Sequence, residues 1–168
     1  MRLFAIYIGG EFTGANIELH DMRFVVASSI ADTYEQLRQQ WWGIPNSLHI
    51  DCWAEITHAD GYDLELRPEP FLGPERLYYV NLGGYDPSEF IEKHKNVFVV
   101  AESVPHAKAR AIKAVKGWTQ PHRDEMYEAE QAFCLHESVR EQRLYIHLSR
   151  AVEAREVQFT CEYKPIPK

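Results

Sequence analysis

Cysteine is scarce: Cys52, Cys134 and Cys161 are three in 168 residues, odd in number, widely spaced and in no C-x-x-C arrangement. That excludes a disulfide framework and a zinc knuckle, and it points to a reducing compartment, so a cytoplasmic location is expected. The N-terminal apolar run Leu3 to Ile8 is too short to span a membrane and lacks the basic region, long apolar stretch and cleavage site of a signal peptide. Positive charge is in deficit, with 18 Lys and Arg against 25 Asp and Glu, a formal −7. Such a chain repels polyanions, so neither nucleic acid nor an anionic membrane surface is an expected partner.

Catalytic and nucleotide-binding motifs are missing as well. Gly9-Gly10 follows an apolar run and Gly14 comes four residues later, but there is no Gly-Lys-Ser/Thr and no G-x-G-x-x-G to cradle a phosphate. Neither G-x-S-x-G nor H-E-x-x-H occurs, and no cysteine sits in a recognisable catalytic context.

What is present is an ordinary globular composition, 45% hydrophobic and 12% aromatic. A chain of this length buries roughly 70% of its unfolded surface, ample for one core. The chain also repeats itself. Residues 3 to 43 align without a gap on residues 77 to 117 at a constant offset of 74, and twelve positions are identical. They are Leu3/Leu77, Gly9/Gly83, Gly10/Gly84, Ile17/Ile91, Glu18/Glu92, His20/His94, Phe24/Phe98, Val25/Val99, Val26/Val100, Ala27/Ala101, Ser29/Ser103 and Gly43/Gly117. Ordinary residue frequencies give about two or three matches over such a stretch, so duplication is the reading. Pro68, Pro70, Gly73 and Pro74 mark the connection between the copies.

Each copy opens with an apolar run, Leu3 to Ile8 or Leu77 to Leu82, halted by Gly-Gly, as suits a buried strand ending in a turn with positive φ or close backbone approach. A second strand follows, with Phe-Val-Val-Ala at its core, continuous enough for both faces to be covered. Next comes a helix: Ile30, Tyr34, Leu37 and Trp41 form one apolar stripe, and Val104, Ala111, Val115 and Trp118 its counterpart. Ser29 and Ser103 stand at N-cap positions, and Gly43 and Gly117 where a left-handed residue would end each helix. After the helix the first copy predicts a hairpin, Trp53 to His58 and Tyr62 to Leu66 around Asp60-Gly61, and the second a pairing of Gln131 to Leu135 with Leu144 to Leu148. Val157, Phe159, Cys161 and Tyr163 alternate in a last strand suited to covering a sheet edge.

The expected fold is therefore α+β: a duplicated strand-strand-helix-hairpin unit with pseudo-two-fold symmetry, in one or two small sheets each covered by a helix. Residues 1–67 form the first repeat, 68–76 the Pro-rich connection, 77–150 the second repeat and 151–168 a C-terminal extension, all in one compact body, since units of about 70 residues are marginal alone.

The pattern Leu3-Phe4-Ala5-Ile6-Tyr7-Ile8-Gly9-Gly10, with Ala15 to Asp21, Phe24-Val25-Val26, Leu48-His49-Ile50-Asp51 and Val80 to Tyr85, resembles the family catalogued as domain of unknown function 1543. The resemblance covers most of residues 1 to 150. It implies a small, soluble, bacterial protein with one or two copies of the domain, and it lends no catalytic residues.

Two polar residues survive in both copies, Glu18/Glu92 and His20/His94, and each copy shows His then Asp after its helix, His49 and Asp51 or His122 and Asp124. On an extended chain residues i and i+2 share a face, so Glu and His project together. One divalent ion then fits Glu18, His20, His49 and Asp51, and a second Glu92, His94, His122 and Asp124, a mixed donor set suited to zinc, iron or manganese. The competing reading makes these groups structural, closing turns through bonds between side chain and backbone. Arg110, Lys113 and Lys116 on the second helix and Trp42 beside the first stripe are the candidate contact residues for a protein or small-molecule partner. Lacking an asymmetric catalytic cluster, the chain reads first as a cytosolic binding or interaction module, monomeric or paired through a free sheet edge, and second as a metal-dependent enzyme or metal-binding protein.

Overall fold

A computed structural model describes residues 1–85, 88–114, 120–122 and 132–167. The order of elements is β1 (Arg2–Gly10), β2 (Leu19–Ala27), α1 (Tyr34–Gln40), β3 (His49–Glu55), β4 (His58–Ala59), β5 (Tyr62–Arg67), β6 (Arg76–Tyr85), β7 (Glu92–Ala101), α2 (Val104–Ala114), β8 (Gln120–His122), β9 (Phe133–Cys134), β10 (Tyr145–Arg150) and β11 (Thr160–Pro165). Among the described residues the strands make three antiparallel sheets: the first ordered β11-β3-β1-β2, the second β7-β6-β8 with β9 also on β6, and the third β10-β5-β4. The class is α+β, and no helix among the described residues is long and apolar enough to cross a membrane.

Side chains of β1 alternate between two cores. Phe4, Ile6 and Ile8 join Leu37 and Trp41 of the α1 region, with Ile30 and Tyr34 packed alongside, as the apolar stripe requires. Leu3 and Ala5 point the other way, into a cluster shared with Leu77, Tyr79 and Val100 of the second sheet and Ala59, Tyr62 and Ile146 of the third. The Phe-Val-Val-Ala strands divide in the same manner, Val25 and Ala27 facing α1 and Val26 the shared core. On the far side of β6 and β7, Ala107 and Ala111 of α2 cover Tyr78, Val80 and Val99. Phe24 lies against Tyr79 at 5.1 Å between ring centres, which joins the first two sheets.

The β1–β2 ladder pairs Arg2 with Ala27 and Gly9 with His20, and the β6–β7 ladder pairs Arg76 with Ala101 and Gly83 with His94, each position 74 residues further on. Asp60 ties the β4–β5 turn to the second half: its Oδ2 accepts the Val100 N–H at 2.8 Å and its Oδ1 pairs with Arg110 at 2.6 Å. The turn itself is the expected two-residue one, with Asp60 and Gly61 both at positive φ, but the strand before it is only His58–Ala59: Trp53 to Glu55 belong to β3, which pairs with β1 and β11 instead of β5.

Several expectations need correction. Gly9 and Gly10 do not halt β1 but are its last two residues, and what they supply is close approach. Gly43 is not a left-handed cap, because α1 ends at Gln40 with Trp41 already extended. It lies instead where a Cβ would strike the Trp41 ring and the Glu11 carbonyl. Ser29 does act near the helix start, accepting the Asp32 N–H at 3.4 Å. The pairing of the stretch ending at Leu135 with Leu144 to Leu148 does not form: β9 joins β6, while β10 joins β5. Short β9 leaves little to pair with, whereas β5 offers a free edge six residues long. The last strand lines the edge of β3, as expected. Val115, Lys116, Gly117, Trp118 and Asp124 lie outside the described residues.

His136 is buried in the one-turn helix that follows β9, Leu135–Ser138, where its Nδ1 accepts the Leu77 N–H at 3.2 Å. Burial, and next the Arg76 guanidinium, pushes this imidazole down to about 4 from 6.5. Below pH 6.5 the unfolded chain takes up a proton that the folded chain refuses, so stability is intact above that value and falls towards pH 4. Urea unfolding at pH 7 and pH 4 is expected to show a loss of about 3 kcal/mol from this group, absent in His136→Gln.

Candidate metal centre

The inward face of the first sheet changes character along β1. At Leu3 and Ala5 it is packed core; at Gly9 it has no side chain. Gly9 stands directly opposite His20 on β2 and directly opposite His49 on β3. The two imidazoles come from strands on either side of β1 and meet over the glycine. A Cβ at residue 9 would lie 2.7 Å from His20 Cδ2 and 2.8 Å from His49 Nε2, so only glycine leaves this room.

Two carboxylates close on the same point. Glu18, one residue ahead of β2, places Oε1 3.3 Å from His20 Nε2 and Oε2 3.5 Å from His49 Nε2. Asp51 places Oδ2 3.4 Å from His20 Nε2 and Oδ1 3.4 Å from His49 Nε2. Its presence there is the work of a β-bulge. The β1–β3 pairing passes from Tyr7/Cys52 to Ile8/Ile50, leaving Asp51 as the extra residue. The phase shift lets Cys52 line the inter-sheet cleft while Ile50 stays in the core under α1, and it brings Asp51 to the inward face with His49.

The orientation of the imidazoles is held from behind. His49 is 4% exposed and its Nδ1 donates to the Ser47 carbonyl at 2.9 Å, so the lone pair stays on Nε2, the atom facing the carboxylates. The Tyr163 ring of β11 covers His49 at 4.6 Å, and His20 stacks flat on Tyr7 at 5.2 Å. Burial, with Asp51 next, raises the Tyr7 phenol and keeps it protonated. One ligand atom each from Glu18, His20 and His49 lies within 4.8 Å of the others, and Asp51 stands against both imidazoles beside that set of three. Asp51 Oδ2 is buried and has no hydrogen-bond partner.

His20 and Tyr7 also line a cleft of about 840 Å³ between the first two sheets, shared with Tyr79, Asn81, His94 and Phe98. Cys52 lies on its wall, opposite Cys161 across the β3–β11 pair, and burial followed by the hydrogen bond with Cys161 pushes its thiol up to about 12. At neutral pH that sulfur is held as the neutral thiol.

The other expected site residues are placed differently. Glu92 and His94 lie together, Oε2 to Nε2 at 3.8 Å, and His122 is opposite Gly83 by backbone register. Arg110 is occupied internally, bonding Asp60 and the Val100 carbonyl. Lys113 is exposed. Trp42, 45% exposed, stacks on Trp41 and edges onto Phe12. Sequence reasoning passed over Gly9 as the seat of the site, Ser47, Tyr7 and Tyr163; the glycine shared with position 83 was the one available signal.

Residues 15–66, which include all four converging side chains, match the family model described as Domain of Unknown Function (DUF1543). The chain is also similar over nearly its whole length to a solved structure, the crystal structure of a protein Il1583 from Idiomarina loihiensis. Identity is 29%, with 99% of this chain and 98% of that chain covered and a TM-score of 0.72. No curated protein matches.

Gly9→Ala is expected to lower stability by about 1–3 kcal/mol in urea unfolding, the usual range for overpacking, and to displace both imidazoles. Their ring resonances in NMR would then shift together.

Proposed function

We propose that this carrier of the DUF1543 domain binds a divalent transition-metal ion, zinc or one of similar preference, through Glu18, His20, His49 and Asp51. The observation that carries the reading is the set of four nitrogen to oxygen distances, 3.3, 3.4, 3.4 and 3.5 Å. A hydrogen bond from a charged imidazole to a carboxylate is shorter, about 2.7–2.9 Å. Donors each about 2.0–2.1 Å from a tetrahedral ion lie about 3.3 Å apart, and each imidazole Nε2 stands at about that spacing from one oxygen of Glu18 and one of Asp51. A cation between the four groups also satisfies the buried Asp51 Oδ2.

The donor set suits the metal. Neutral imidazole and carboxylate together favour zinc, manganese or iron over the all-oxygen cages of calcium and magnesium. Four protein donors make a closed site of the structural or sequestering kind rather than one that activates water. We set this ahead of an interaction module without chemistry, because Arg110 is committed to Asp60 and Trp42 packs on its neighbours. Descent by duplication is part of the same reading, supported by the twelve identities at an offset of 74 and by ladders that repeat at that offset. So is a cytoplasmic setting, in keeping with three free thiols.

Untagged, chelator-stripped protein titrated with zinc is expected to take up the ion stoichiometrically by plasma mass spectrometry, and its Tm rises. At a free-ion concentration 100 times Kd the gain is about 2.7 kcal/mol. His20→Ala, at a partly exposed position, loses the tight binding while keeping its circular dichroism. Absence of bound metal with an unchanged Tm would overturn the proposal, as would tight binding that survives in His20→Ala.

A further inference from the structure

The first site depends on a glycine flanked on both sides by histidine, and the second half of the chain repeats that arrangement in its backbone. Gly83 of β6 is opposite His94 of β7 and opposite His122 of β8, as Gly9 of β1 is opposite His20 of β2 and His49 of β3. Glu92 precedes His94 by two residues, as Glu18 precedes His20, and its Oε2 lies 3.8 Å from His94 Nε2. The i, i+2 spacing on a strand puts that carboxylate and imidazole on one face.

His94 is also oriented from behind. Its Nδ1 donates to Asn81 Oδ1 at 2.9 Å, which leaves the lone pair on Nε2, the atom nearer Glu92. Asn81 is itself fixed, donating through Nδ2 to Asn96 Oδ1 at 2.7 Å, and the same oxygen accepts the Tyr79 hydroxyl at 2.7 Å. The relay Tyr79–Asn96–Asn81–His94 does for this imidazole what the Ser47 carbonyl does for His49. A purely structural histidine at a 43% exposed position has no need of such a support.

We propose a second divalent-cation site at Gly83, drawing on Glu92 and His94 with His122 in register across the glycine. It rests on the metal reading of the first site for its chemistry and on its own residues for its location. It is the weaker of the two: Glu92 stands further from its histidine than Glu18 does, and His94 is more exposed than His20. His20 and His94 line the same cleft, so both ions border one cavity.

The test is zinc titration of the untagged full chain by calorimetry, with ion content measured by plasma mass spectrometry at each plateau. Two ions per chain are expected, the second bound at least tenfold more weakly. His94→Ala keeps only the tight ion, and His20→Ala keeps only the weak one. Gly83→Ala, which substitutes none of the ligands, also loses the weak ion. Unaltered circular dichroism in His94→Ala shows that loss of the ion is not loss of the fold. A single ion, lost in His20→Ala and unchanged in His94→Ala, overturns this proposal and leaves the first site standing. No ion in the wild-type chain overturns both.

Discussion

Strand β1 is buried on both faces, and the rest of the molecule is arranged around that fact. Its even-numbered residues need the helix α1 and its odd-numbered residues need a second sheet, so neither half of the chain covers its apolar surface alone. The shared cluster of Leu3, Ala5, Val26, Leu77, Tyr79, Val100 and Ile146 answers the second need. Burying one such aliphatic side chain contributes roughly 1.5–3 kcal/mol. Surface ion pairs such as Arg2 with Glu55 contribute roughly a kcal/mol at most. Apolar packing therefore decides how the sheets face one another, and the polar site takes the position that packing leaves.

That position is Gly9. A glycine inside a strand is unfavourable by roughly 0.5–1 kcal/mol relative to alanine, and the fold accepts the cost where two imidazoles must pass over the backbone. Gathering the carboxylates of Glu18 and Asp51 within 3.5 Å of both imidazoles is a second cost, since each gives up water and Asp51 Oδ2 gains no hydrogen bond in return. The cation proposed for this site would offset both costs. The strands around the site are firmly held, with β1 between β2 and β3 and β11 along the outer edge of β3. Tyr163 from β11 closes over His49, so the C-terminal strand is part of the site as well as the cover of an edge.

The two halves differ where the third strand should be. In the first, β3 runs unbroken for seven residues and carries both His49 and Asp51. In the second, β6 is paired by β8 at its Gly83 end and by β9 near Tyr78 and Tyr79. The ladders against the second strands agree pair for pair, so the halves match in the hairpin that positions Glu-x-His and diverge in the strand that supplies His-x-Asp.

Much of this was legible in the residues. The apolar runs at Leu3 and Leu77, the stripe Ile30, Tyr34, Leu37 and Trp41, the Asp60-Gly61 turn and the Glu-x-His spacing are local features, governed by periodicity and by φ preferences that neighbouring residues set on their own. So was the grouping of Glu18 with His20 and of His49 with Asp51, because spacing places Glu with His and His with Asp. Their convergence was not. It required His20 and His49 to be opposite the same glycine, a property of the registers of two ladders, and a bulge at Asp51 that no alternation along β3 reveals. The same holds for β10 choosing β5, for Gly43 lying against Trp41 and for Tyr163 on His49. The amino-acid sequence by itself determined which segments are strands, which face of each is apolar and which polar side chains travel together, since these depend on bonds and sterics within a few residues. Tertiary structure alone decided which strands are neighbours and in what register, because those choices are settled by burial summed over segments far apart in the chain.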